Sequence, residues 1–176
     1  MSGRIRVVTD DIARVETEAV LRSVGSDLEP IAAVGRRIEQ AAGAEILERL
    51  GRVGELPTGG AVVTPAGGLS ADFLIHVVTR SSDEPVTEGS LHRALLNGLR
   101  RAMELEIRRL AVPPLGTGAG NLNAEASATV MVSTLREHFA LSVHPAEVLI
   151  VVANEYEREA FQREVDRQGA AAGEEA

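Results

Sequence analysis

The chain has 176 residues and 44% hydrophobic content, the size of one domain with one sizeable core. Cysteine is absent and all 18 basic residues are arginine, which removes disulfides, thiolate nucleophiles, Cys-ligated metal sites, Schiff-base lysines and a Walker-type phosphate lysine. A net charge of −8 argues against duplex nucleic acid as a partner, yet it leaves open a small anion held by backbone amides.

In chain order, apolar runs predict strands at Arg4–Val8, Ala19–Val24, Gly60–Thr64, Phe73–Thr79, Leu110–Pro113 and Val148–Ala153. Helical patterns fall at Val34–Leu50, interrupted near Gly43, and at Leu91–Glu104, Glu125–Phe139 and Glu155–Arg167. Leu91, Leu95, Leu99, Ala102 and Met103 recur at three- and four-residue spacing and form one buried helix face. Leu110–Pro113 and Val148–Ala153 lack polar alternation, as strands covered on both faces do. The pattern predicts an α/β fold whose mixed, largely parallel sheet of six strands is sandwiched by helices. One domain over 1–168 is expected, followed by a structureless tail at 169–176, where no large apolar group remains. No window approaches the roughly 20 apolar residues of a membrane span. The N-terminus MSGRIRVVTDD lacks the apolar core of a signal peptide, so a cytoplasmic protein without membrane contact is expected.

The most informative segment is Pro113-Pro114-Leu115-Gly116-Thr117-Gly118-Ala119-Gly120-Asn121-Leu122-Asn123, between a buried strand and a helix. Ligands of open α/β sheets sit outside the carboxyl ends of strands, and a loop of small residues there lets backbone amides approach a diphosphate. The same glycines would also serve a tight strand-to-helix turn, and the loop alone leaves both readings open.

Two further segments accompany it in order: Asp10-Asp11-Ile12 after the first strand, and Pro57-Thr58-Gly59-Gly60-Ala61-Val62-Val63-Thr64-Pro65 leading to Phe73-Leu74-Ile75-His76-Val77-Val78. With the Gly116–Asn121 loop they resemble the G-D-I, P-T-G-x-A-x-x-T…Y-V-I-H and S/G-T-G-x-x-G motifs of macro domains, colinearly from about Ile5 to Val165. The resemblance implies a three-layer α/β/α domain that binds ADP-ribose or ADP-ribosylated molecules, with no cofactor and no metal.

It also implies roles for individual residues. Asp11, beside Ile12, would accept a hydrogen bond from the adenine amino group; read alone, without the colinear motifs, it is rather a solvated or turn-capping acid. Leu115, Gly116, Thr117, Gly118, Ala119, Gly120 and Asn121 would wrap the diphosphate and distal ribose. Val34 and Gly35 belong to the facing loop, and Ala153 and Asn154 stand where many members carry an aromatic residue that stacks on adenine. Tyr156 is a substitute platform or simply an exposed helix residue.

The chain departs from the family elsewhere. Where macro domains have D-A-I-V-N-A-A-N it has Glu18-Ala19-Val20-Leu21-Arg22-Ser23-Val24-Gly25, and Ile31-Ala32-Ala33 replace a glycine run. Arg36 and Arg37 are either phosphate partners or a solvated helix face. The lost asparagines are positions that family hydrolases use to place water, so no catalytic residue is assigned and a non-catalytic reader is expected. The alternative is a divergent ADP-ribosyl hydrolase or O-acetyl-ADP-ribose deacetylase, for which Asp27 and Glu29 are the nearby acids. His76 is read as a satisfied core group.

Overall fold

The computed structural model describes residues 3–174. Its elements in chain order are β1 (Arg4–Thr9), β2 (Ala19–Gly25), α1 (Ala33–Ala42), α2 (Ala44–Val53), β3 (Ala61–Pro65), β4 (Phe73–Arg80), α3 (Glu88–Glu104), β5 (Arg109–Val112), α4 (Ala124–Phe139), β6 (Glu147–Val152) and α5 (Glu155–Glu174). Each expected strand is present within a residue or two of its expected bounds. The break expected near Gly43 is real: its φ of 101° is left-handed, and its N–H closes α1 on Glu39 while the next residue starts α2.

The strands form one six-stranded sheet in the order β1-β6-β5-β2-β4-β3, and every pairing is parallel except that of β3 with β4. Alternation along the central strands divides the core into two layers. Ala19, Leu21, Ile75 and Val77 pack with α3, α4 and α5. Val20, Val24, Leu74 and Val78 pack with α1 and α2 on the other face. The fold is therefore the mixed, helix-sandwiched α/β sheet that the sequence predicts.

One expectation needs correction. α5 continues to Glu174, so 169–174 are helical rather than structureless. Ala170, Ala171 and Ala172 have the highest helix propensity of any residue, and a helix already seated on the core extends into them at little cost. Residues 175 and 176 lie outside the described residues. Among the described residues no helix is long and apolar enough to cross a membrane.

After β3 the chain passes beneath the end of α1. Gly67 has a φ of +60°, a Cβ built there would lie 2.1 Å from the Ala42 carbonyl oxygen, and the next amide donates to that same oxygen at 3.0 Å. Gly67→Ala is expected to lower stability by about 1–3 kcal/mol, because it adds both left-handed strain and a backbone clash. Urea melts of the two proteins check it, and an unchanged midpoint would show that α1 is not seated here.

Candidate functional site

The parallel neighbours β2 and β5 send the chain to opposite faces of the sheet, β2 toward α1 and β5 toward α4. A crevice opens where such paths diverge, at the carboxyl ends of the strands. Here it is lined by Arg22, Ser23, Ile31, Ala32, Val34, Gly35 and Pro113–Thr117. It holds only about 10 Å³, barely one water. The two walls meet at Gly118, where an added Cβ would lie 3.2 Å from the Ala32 Cβ and 3.3 Å from the Ile31 carbonyl oxygen.

Both walls present backbone donors. In the β5–α4 loop Gly116, Gly118 and Gly120 all have positive φ, of 69°, 115° and 79°. The loop holds its shape through the Asn121 and Leu122 amides, which donate to Gly118 and Gly116, and through the Asn121 side chain on the Thr117 carbonyl. Ser127 Oγ fixes its buried base by donating to the Leu115 carbonyl at 2.7 Å. The Thr117, Ala119 and Gly120 amides donate to no acceptor among the described residues. On the opposite wall the N-cap of α1 is Ala32, which supplies no side-chain cap, and no acid occupies the first turn of the helix. The first amides of that helix, and the positive end of its dipole, are thus unanswered. Among the described residues no carboxylate lines the crevice.

Arg22 forms part of its floor. The side chain is fully buried on the α1 side of β2, in a position whose neighbours Val20 and Val24 are apolar. Its Nε donates to His76 Nδ1 at 2.9 Å, and Nη1 donates to Glu39 Oε2 at 2.8 Å and to the Gly35 carbonyl at 3.4 Å. Because His76 Nδ1 accepts, Nε2 carries the proton and donates to Thr64 Oγ1 at 2.9 Å, which in turn donates to the Pro65 carbonyl. Burial, and then the Arg22 charge, push the His76 imidazole down to about 3, so it is neutral in the folded protein at physiological pH.

A family model for the macro domain matches residues 23–131. A Citrobacter rodentium protein named O-acetyl-ADP-ribose deacetylase is 32% identical over 180 residues, covering 96% of this chain and 99% of the relative. The chain belongs to the macro domain family. Among solved structures, the Oceanobacillus iheyensis macrodomain with ADP superposes with a TM-score of 0.83 at 21% identity, covering 94% of this chain and 91% of that one. The Trypanosoma brucei macrodomain in complex with ADP-ribose gives 0.81 at 15% identity, covering 91% of this chain and 68% of that one.

Within this macro domain, Val34, Gly35 and Leu115 to Thr117 line the crevice; exposed Gly118 sits where its walls meet, and exposed Ala119 and Gly120 and half-buried Asn121 continue the loop, the last two along the neighbouring cleft. Asp11, Ile12, Ala153 and Asn154 follow the paired ends of β1 and β6 instead. Ile12 is 4% exposed and belongs to the core beneath α1 and α2. Asp11 accepts from the Ala13 amide and from Arg37 Nη2 at 2.7 Å, and the Arg37 bond, then the Ala13 bond, hold its carboxyl below its ordinary range. Arg37 is thus the partner of Asp11, a pairing across 26 positions that neither residue announces in sequence.

Asn154 caps α5 by accepting from the Glu157 amide at 2.9 Å, and the Glu157 carboxylate accepts from the Ala153 amide at 2.9 Å. The Tyr156 hydroxyl donates to Glu125 at 2.5 Å and ties α5 to α4. Asp27 and Glu29 line a wider cleft of about 570 Å³ that adjoins the loop at Gly120 and Asn121 and also includes Gly25 and Arg80. A groove of about 590 Å³ lined by Glu16, Glu18 and Arg108 lies at the opposite, amino end of the strands and presents no amide loop.

Since the His76 pKa falls from 6.5 to about 3 on folding, the unfolded chain binds the proton more tightly across that interval. The stability that the neutral imidazole contributes is complete above about pH 6.5 and declines as the pH falls toward about 3. Urea melts between about pH 8 and about pH 4 should show a larger loss for the wild type than for His76→Asn, whose amide has no titration there. Parallel losses would remove His76 from the account.

Proposed function

We propose that the protein binds ADP-ribose, or a molecule bearing an ADP-ribosyl group, and holds it without hydrolysis. The observation that carries this reading is the crevice at the β2–β5 divergence, with unanswered amides on both walls, a buried arginine at its floor and no carboxylate lining it. Such a site suits a diphosphate, whose oxygens accept from amides and whose charge a carboxylate would repel. Complexes of the Oceanobacillus iheyensis and Trypanosoma brucei macrodomains with ADP and ADP-ribose support the choice of nucleotide. Asp11 and the Ala153–Asn154 turn lie on the side where the base would rest, with Asp11 accepting from the adenine amino group.

The names of full-length relatives favour a second reading, deacetylation of O-acetyl-ADP-ribose. The acids available for it, Asp27 and Glu29, line the adjoining cleft and not the crevice. The asparagine positions that would place a water hold Arg22, engaged with His76 and Glu39, and Gly25. A displaced catalytic group costs about 100-fold in rate, whereas binding tolerates such changes.

Calorimetric titrations are expected to rank ADP-ribose above ADP, with AMP and adenosine weak. Asp11→Ala is expected to weaken ADP-ribose about tenfold, the cost of a polar ligand group left unpaired. Equal affinity for adenosine and ADP-ribose would remove the diphosphate from the recognition, and unchanged binding by Asp11→Ala would leave that residue as the partner of Arg37 alone.

Incubated with O-acetyl-ADP-ribose at saturation, the wild type should release no acetate above the buffer rate. Turnover abolished by Asp27→Ala or Glu29→Ala would establish the second reading instead.

A further inference from the structure

One edge of the Arg22 guanidinium is unexplained by the fold. Nε and Nη1 are taken up by His76, Gly35 and Glu39, but Nη2 is buried with no hydrogen-bond partner among the described residues. Leaving a buried donor unmatched is costly, and more so when it belongs to a cation. Glu39 reaches only one of the two Nη groups, so the ion pair satisfies half of the fork. Burial opposes the Arg22 charge and Glu39 supports it, yet an arginine does not lose its proton in a protein. The side chain lines the crevice whose walls carry unanswered amides and no acid.

We propose that Arg22 is the anion anchor of this crevice: when the walls part at the Gly118–Ala32 contact, Nη2 donates to a phosphate oxygen of the ligand. The source of that phosphate rests on the nucleotide reading above; the anchor itself rests on the orphaned donor. Arg22 stands where relatives of this fold were expected to carry an asparagine, so the cation adds a charged donor at the floor of the site. Glu39 then has a double effect. It holds the guanidinium in place and partly neutralises it, so removing the Glu39 charge should tighten an anionic ligand, an outcome that a purely structural ion pair does not give.

The test titrates ADP-ribose and inorganic pyrophosphate, with adenosine as the uncharged control, into the wild type, Arg22→Gln and Glu39→Gln, each confirmed folded by circular dichroism and a cooperative melt. Arg22→Gln is expected to weaken both anions by about tenfold or more and to leave adenosine unchanged. Glu39→Gln is expected to tighten both anions by about threefold. Pyrophosphate that binds and depends on Arg22, with ADP-ribose that does not bind, would sink the nucleotide reading while sustaining the anchor. The anchor is overturned if the wild type binds neither anion, or if folded Arg22→Gln binds both as tightly as the wild type. Should Arg22→Gln fail to fold, Glu39→Gln decides: tighter anion binding sustains the anchor, and unchanged or weaker binding by a folded protein overturns it.

Discussion

Arg22 puts a cation into the layer between the sheet and α1, where withdrawal from water costs several kcal/mol unless nearby groups answer the charge. Its surroundings follow from that demand. His76 is held neutral with its proton on Nε2, Thr64 relays the hydrogen-bond direction to the backbone of β3, and Glu39 is drawn in from α1. Three elements of the sheet and one helix are thereby oriented by a single side chain. Alternation along β2 would otherwise place an aliphatic residue there, and an aliphatic residue would leave α1 positioned by packing alone.

The two halves of the site obey different physics. On the walls of the crevice the free donors belong to the backbone: three left-handed glycines shape the β5–α4 loop, and α1 begins without a side-chain cap. On the side of Asp11 and Asn154 the Asp11 carboxylate, the Ala153 amide and the Asn154 side-chain oxygen already have partners within the protein, through Arg37, Ala13 and Glu157. A ligand bound there would exchange one hydrogen bond for another, which yields selectivity more readily than affinity.

The sheet and its order of elements were legible because buried parallel strands write themselves as uninterrupted apolar runs, and the break at Gly43 because only glycine suits its backbone. The Gly116–Asn121 loop was legible for the same reason: its meaning resides in residues that lack a Cβ. Arg22 was visible only as a lost asparagine. Its partners Glu39 and His76 stand 17 and 54 positions away, and local sequence carries no trace of such a contact. The signal that was available is a charge in the middle of a short strand run, Ala19–Val24, whose only other polar residue is Ser23. Residues 169–174 read as a tail in sequence yet are helical, because small residues without a core face suit a helix as well as they suit disorder.

Tyr156 is the only tyrosine and tryptophan is absent, so the near-ultraviolet emission of the whole protein comes from one phenol. That phenol donates to a carboxylate across the first turns of α4 and α5, the two helices that follow the glycine loop and the last strand. Loss of that hydrogen bond would alter the brightness of the ring without any dye or label. Nature has thus left this protein with a built-in optical gauge of the spacing between α4 and α5.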